Sequence, residues 1–180
     1  FGTQIVEDLA LSHQQFGLLT GFGFVLFYAL AGPVTGLLAD RFGASRILTA
    51  GIVLWSAMTA LTGQAKGFIG MMIPRAFVGI GEATLNPAAT AVLSRAFDSQ
   101  HRAVVLGLYF MGGHIGVALA YQIAGIPSIE WRSVFIWLGV IGIGMAGLLV
   151  AFARSMPDTL GRPESAESTG SASSVKGLIG

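Results

Sequence analysis

Five long apolar runs dominate this chain, and they decide the kind of solvent it can fold in. Gln14 to Ala39, Ile47 to Ala65, Ala103 to Ile129 and Ser133 to Ala153 contain no Asp, Glu, Lys or Arg, and Gly67 to Ser94 is interrupted only by Arg75 and Glu82. A helix needs about 20 mostly apolar residues to cross a hydrocarbon core of about 30 Å, so each run is long enough to span a bilayer. The whole sequence agrees: 53% of its residues are hydrophobic and 11% charged, against about 25% charged in a soluble domain. Pro33, Pro74 and Pro87, with many of the 26 glycines, lie inside these runs. In a membrane such residues are tolerated, because neighbouring helices satisfy the freed backbone groups. Small residues at Gly112, Gly113, Gly116 and Ala120 are expected to let helices pack closely.

The composition excludes several function classes. There is no cysteine, hence no disulfide framework and no thiolate metal site, and a net charge of +1 gives no sign of a nucleic-acid partner. His114 has no second ligand at i+3 or i+4 and reads as a packing or cavity-lining residue. Gly79-x-Gly81 lies inside an apolar run with no preceding strand, so it is not read as a dinucleotide loop. No Ser-His-Asp or paired-carboxylate arrangement supports an enzyme, and no cofactor or metal is expected.

Orientation follows from the basic residues, which concentrate in cytoplasmic loops. With the Asp40 to Arg46 turn on the cytoplasmic side, that side carries Arg41, Arg46, Arg95, Arg102, Arg154, Arg162 and Lys176, and the other only Lys66 and Arg132. Residues 1–154 are therefore expected to form a helical membrane bundle. Residues 155–180, rich in Pro, Ser, Gly, Thr and Glu, read as a disordered cytoplasmic linker. Phe1 to Val6 lacks the features of a signal peptide and reads as the end of a helix that is mostly missing. Glu7 to Ser12 is expected to be an external loop, with Ser12 as N-cap of the next helix.

The turn Gly36-x-x-x-Asp40-Arg41-x-Gly43-x-x-Arg46, flanked by two membrane-length runs, resembles the signature loop between the second and third helices of the major facilitator superfamily. The resemblance implies an all-α membrane protein comprising helices two to six of the N-terminal six-helix bundle, with the first helix and the second half lying outside the sequence. It also implies a gate: Asp40 as a latch carboxylate, Arg41 and Arg46 as its partners, Gly36 and Gly43 allowing close approach, and Arg102 as a further partner. A competing reading treats these as ordinary positive-inside charges.

The third run carries the chemistry. Arg75, Gly79, Glu82 and Asn86 stand at i, i+4, i+7 and i+11 and so share one helical face. A charge at membrane depth costs about 2.5–3.5 kcal/mol on insertion scales, so such residues face a cavity or one another. Arg75 and Glu82 are about 10 Å apart along the helix, too far for easy direct pairing, and their partners are expected on other helices. The Arg fork suits a carboxylate or phosphate. The Glu suits proton coupling, because burial disfavours its charged form and a nearby cation favours it. Snorkelling by Arg75 and neutral packing by Glu82 are the competing readings.

Arg75-x-x-x-Gly79-x-Gly81-Glu82-Ala83, followed by Pro87, resembles the fourth helix of the Spinster-like branch of that superfamily. Glu7 to Leu9, Gly17 to Phe22 and Phe27 to Gly32 are similar to the same branch. The resemblance implies a proton-coupled secondary transporter of a small or amphipathic anion such as a lysolipid, working by alternating access in a bacterial inner membrane. Its partners would be membrane lipids, the substrate, protons and the rest of the transporter. The alternative is a non-transporting membrane scaffold or receptor, or an inactive fragment, with the same fold.

Overall fold

The computed structural model describes residues 1–126 and 128–155. It contains α1 (Gly2–Asp8), α2 (His13–Gly17), α3 (Gly23–Phe42), α4 (Ala44–Thr62), α5 (Gly67–Glu82), α6 (Leu85–Ala96), α7 (Ser99–Ala124) and α8 (Trp131–Ser155). Five helical stretches are long and apolar enough to cross a membrane: His13–Phe42, Ala44–Thr62, Gly67–Ala96, Ser99–Ala124 and Trp131–Phe152. They coincide with the five apolar runs. The expected linker lies outside the described residues, apart from Ser155, which ends α8.

Local chemistry explains where the spans begin and break. Ser12 caps α2 as anticipated: its hydroxyl accepts the Gln15 N–H at 3.1 Å while the Gln15 side chain accepts the Ser12 N–H at 2.9 Å. Two orphan donors are thereby satisfied reciprocally. The first span carries a single π-turn at Leu18–Phe22. Glu7 and Asp8, expected in a loop, instead complete α1, whose Ile5 is buried with Leu9, Leu11, Leu19, Met71 and Trp131. That burial explains the difference, since a helix with an apolar face to cover is stabilised by packing rather than by propensity.

The turn between α3 and α4 is one residue long. Gly43 takes φ +96°, a left-handed region that costs a side-chain-bearing residue roughly 1–2 kcal/mol. Its N–H closes on the Ala39 carbonyl at 2.9 Å. A second core gathers at this end of the bundle from Ala39, Ala44, Leu48, Ala88, Ala89 and Val92.

The third span is not one continuous helix. Pro87 offers no N–H to the Ala83 carbonyl, and the chain tightens there, with Thr84 N–H bonding Gly81 O at 3.2 Å before Ala88 N–H resumes the helical pattern to Thr84 O at 3.1 Å. This break separates α5 from α6 directly after Glu82.

Helix α4 packs against α5 and α8, and α3 packs against α5. Helix α7 touches the bundle chiefly through α6 and has no buried residue. The expectation of close packing at Gly112, Gly113 and Gly116 is therefore not met within the described residues, where a Cβ at any of the three would meet nothing within 4 Å. The tight crossings fall at other glycines, on faces that a run of apolar letters does not single out.

Candidate functional site

Glu82 sits at the middle of the thirty-residue span Gly67–Ala96, and both it and Arg75 are half-buried. The missing side chain of Gly79 lets α3 press onto α5 between them: a Cβ there would stand 2.9 Å from Phe24 O and 3.3 Å from Tyr28 N. That approach brings two aromatic rings to the polar stripe. The Arg75 guanidinium lies over Phe24, 5.8 Å from the ring centroid, within cation–π range. Phe24 in turn stacks on Tyr28 at 6.0 Å. Beyond the break, Asn86 Nδ2 donates to the Tyr28 hydroxyl at 3.1 Å.

Arg75 and Glu82 feel each other's charge without forming an ion pair. Tyr109, from α7, lies within the electrostatic reach of both Tyr28 and Glu82. The arrangement is a wall of one fixed cation, one carboxyl, an amide and two phenols, contributed by four helices. A guanidinium held by an aromatic face rather than by an acid keeps its N–H donors for an incoming anion. Sequence reasoning put the partners of Arg75 and Glu82 on other helices; for Arg75 the neighbour is Phe24 of α3, and the Asn86–Tyr28 hydrogen bond was not anticipated. Sequence reasoning also missed Tyr109, which stands in an apolar run with no polar neighbour at helical spacing.

The residues of the expected gate cluster at the Gly43 end. Asp40, Arg41, Arg46 and Arg102 are all exposed. Among the described residues Asp40 makes no ion pair with any of the three arginines, and the Arg41 guanidinium instead lies 5.5 Å from the Phe42 ring centroid. Among the described residues Gly36 and Gly43 are not points of close approach, since a Cβ at either would meet nothing within 4 Å. Gly43 is required by its backbone angle, not by crowding.

The opposite end carries a polar clamp. Arg132 Nε and Nη2 both reach Asp8 Oδ2, at 2.9 and 2.8 Å. Its Nη1 donates to the carbonyls of Gly63 and Ala65 at 3.2 and 2.9 Å. Trp131 Nε1 donates to the same Asp8 oxygen at 3.2 Å, and the Arg132 guanidinium stacks 4.4 Å from the Trp131 ring centroid. A cleft of about 550 Å³ opens beside it, lined by Gln4, Glu7, Asp8, Glu130, Trp131 and Arg132. His114 Nδ1 lies 3.0 Å from the Phe110 carbonyl of its own helix.

A family model described as Major Facilitator Superfamily matches residues 1–179. The chain is 35% identical over 144 residues to a probable L-galactonate transporter of Escherichia coli, covering 79% of this chain and 32% of that protein. It is 30% identical over 158 residues to an MFS-type efflux pump of Mycolicibacterium smegmatis, covering 85% of this chain and 37% of that protein. Among solved structures, a bacterial homologue of the human lysosomal transporter Spinster, inward-facing and unoccupied, superposes with a TM-score of 0.69 at 31% identity, over 83% of this chain and 37% of that one. The chain thus spans roughly a third of the length of these relatives.

Proposed function

Because this chain belongs to the major facilitator superfamily, and so to an integral multi-pass membrane protein, we propose that it forms one wall of the substrate pathway in a secondary transporter of an organic anion. Transport, not enzymatic turnover, is the proposed activity. The observation that carries this reading is the Arg75 and Glu82 pair, half-buried on one face of a membrane span and not joined in an ion pair. The similarity to a probable L-galactonate transporter supports a carboxylate as the recognised group, and the resemblance of the Arg75 to Pro87 stretch to the Spinster-like branch is the ground for including an amphipathic anion such as a lysophospholipid.

Arg75 binds the anionic head, and Asn86 with Tyr28 and Tyr109 offers hydrogen bonds to its polar atoms. Glu82 carries the proton. Arg75 and ionised Glu82 together are neutral, so an anion entering the pathway leaves an uncompensated negative charge in a medium where that is costly. Protonation of Glu82 restores neutrality, which couples one proton to one anion. At the Gly43 end, taken as cytoplasmic from the distribution of Lys and Arg, Asp40, Arg41, Arg46 and Arg102 latch against the second half of the protein as the two halves rock.

The full-length protein in proteoliposomes, with an imposed pH gradient and either L-galactonate or a lysophospholipid as probe, tests the proposal. Wild-type uptake should follow the gradient, Glu82→Gln should abolish that dependence, and Arg75→Ala should weaken probe binding. Normal transport by both variants would overturn it, and so would a complete lack of transport with ligand-insensitive stability, the behaviour of a scaffold or receptor.

A further inference from the structure

The break after Glu82 leaves one carbonyl to be accounted for. In an uninterrupted helix the Ala83 oxygen would accept from residue 87, but Pro87 has no N–H. Ala83 is 2% exposed, so water does not reach it freely, and a buried unpaired carbonyl is costly. Thr35 on α3 fills the vacancy: its hydroxyl lies 3.2 Å from Ala83 O, forty-eight residues away in the chain, and Thr35 is itself buried. The same hydroxyl is 3.0 Å from the Gly32 carbonyl of its own helix, the local partner a helical threonine ordinarily takes. From the other side, Thr84 donates to Gly81 O at 2.7 Å, and Gly51 of α4 is pressed against Thr84 so closely that a Cβ there would overlap its hydroxyl. The break is thus held between α3 and α4.

We propose that Thr35 is a positioning residue for Glu82. By supplying the donor that Pro87 lacks, it fixes the point at which α5 ends and α6 begins, and with it the direction from which the Glu82 carboxyl meets the pathway. The role rests on the reading of Glu82 as proton carrier. The titratable groups near Glu82 are Arg75 on α5 and Tyr109 on α7; Tyr28 on α3 neighbours Tyr109 and is bonded to Asn86. Residues 47–62 of α4 and 85–94 of α6 contain none. A change in the proton dependence of transport on altering Thr35 therefore reports on geometry, since a threonine does not titrate.

The test uses the full-length protein with two readouts: hydrogen exchange of the amides of Thr84, Leu85, Asn86 and Ala88, and the pH profile of proton-driven L-galactonate uptake. Thr35→Val keeps the shape and removes the donor; it should raise exchange at the break about fivefold to tenfold and move the midpoint of the pH profile. Thr35→Ser should keep both near wild type. Pro87→Ala returns an N–H to the Ala83 carbonyl, so in that background Thr35→Val should be silent in both readouts. That comparison also carries the test if Thr35→Val alone fails to accumulate. Wild-type behaviour of Thr35→Val, or equal harm from it in the two backgrounds, would overturn the proposal. Altered exchange beside a pH profile that Glu82→Gln does not change would overturn the proton-carrier reading, and the positioning role with it, while leaving the Thr35 bond established.

Discussion

Arg132 and Asp8, 124 residues apart in the chain, are joined by two N–H groups that converge on one carboxylate oxygen at 2.8 and 2.9 Å. The same guanidinium spans the carbonyls of Gly63 and Ala65, so a single side chain ties α1, the α4–α5 connection and α8 together. Arg132→Ala should destabilise the full-length protein in detergent by roughly 1–3 kcal/mol, because it strands those carbonyls as well as the acid. Asp8→Asn should cost less than about 1 kcal/mol, as the pair is partly solvated. Thermal denaturation checks both, and equal effects would show that the carbonyl contacts contribute nothing.

Asp98 caps α7, accepting the His101 N–H at 3.0 Å and lying 2.7 Å from His101 Nδ1. The hydrogen bond from the His101 side chain, followed by that from its backbone, holds the Asp98 carboxyl below the usual carboxylate range. A carboxyl lowered on folding stabilises the fold above its unfolded value of about 3.9 and ceases to do so as pH falls through the folded value. The first turn of α7 should therefore stay protected from hydrogen exchange down to about pH 4 and fray below it, after correction for the intrinsic exchange rate. Asp98→Ala should be frayed throughout.

Helix α8 crosses α4 at glycines. A Cβ on Gly142 would overlap the Ser56 hydroxyl, and one on Gly139 would stand 2.5 Å from Ser56 O, whereas one on Gly144 would meet nothing within 4 Å. Gly142→Ala should cost roughly 1–3 kcal/mol through overpacking, and Gly144→Ala should be neutral or slightly stabilising, since Ala is the better helix former by about 1 kcal/mol. Chemical or thermal unfolding of the two variants side by side distinguishes them.

Arg75→Lys keeps the charge and gives up the planar fork. With Phe24 still beneath the cation, proton dependence should persist while KM for L-galactonate rises about tenfold, the equivalent of one bidentate hydrogen bond. Uptake kinetics at saturating and limiting probe concentrations separate this from a loss of kcat.

Much of the fold was legible beforehand because crossing a bilayer is a local requirement. The charge-free runs from Gln14 to Ala39 and from Ser133 to Ala153 declare themselves without reference to any other part of the chain. The spacing of Arg75 and Glu82 is legible for the same reason, since helical period fixes which residues of α5 share a face, whereas Asn86 stands beyond a break that the spacing does not reveal. What α1 does was not legible: Glu7 and Asp8 look like loop residues until Ile5 and Leu9 are seen to need cover.

The sequence alone determined that this is a membrane bundle with an arginine and a carboxylate on one face of its third span, because hydrophobic length and helical period are properties of neighbouring residues. Only the tertiary structure decided that Arg75 rests on Phe24, that Asn86 binds Tyr28, and that Thr35 completes the break after Glu82. These contacts depend on how α3 is rotated against α5 and how closely a glycine lets the two backbones approach. No local rule fixes that rotation; it comes from packing all the helices together at once.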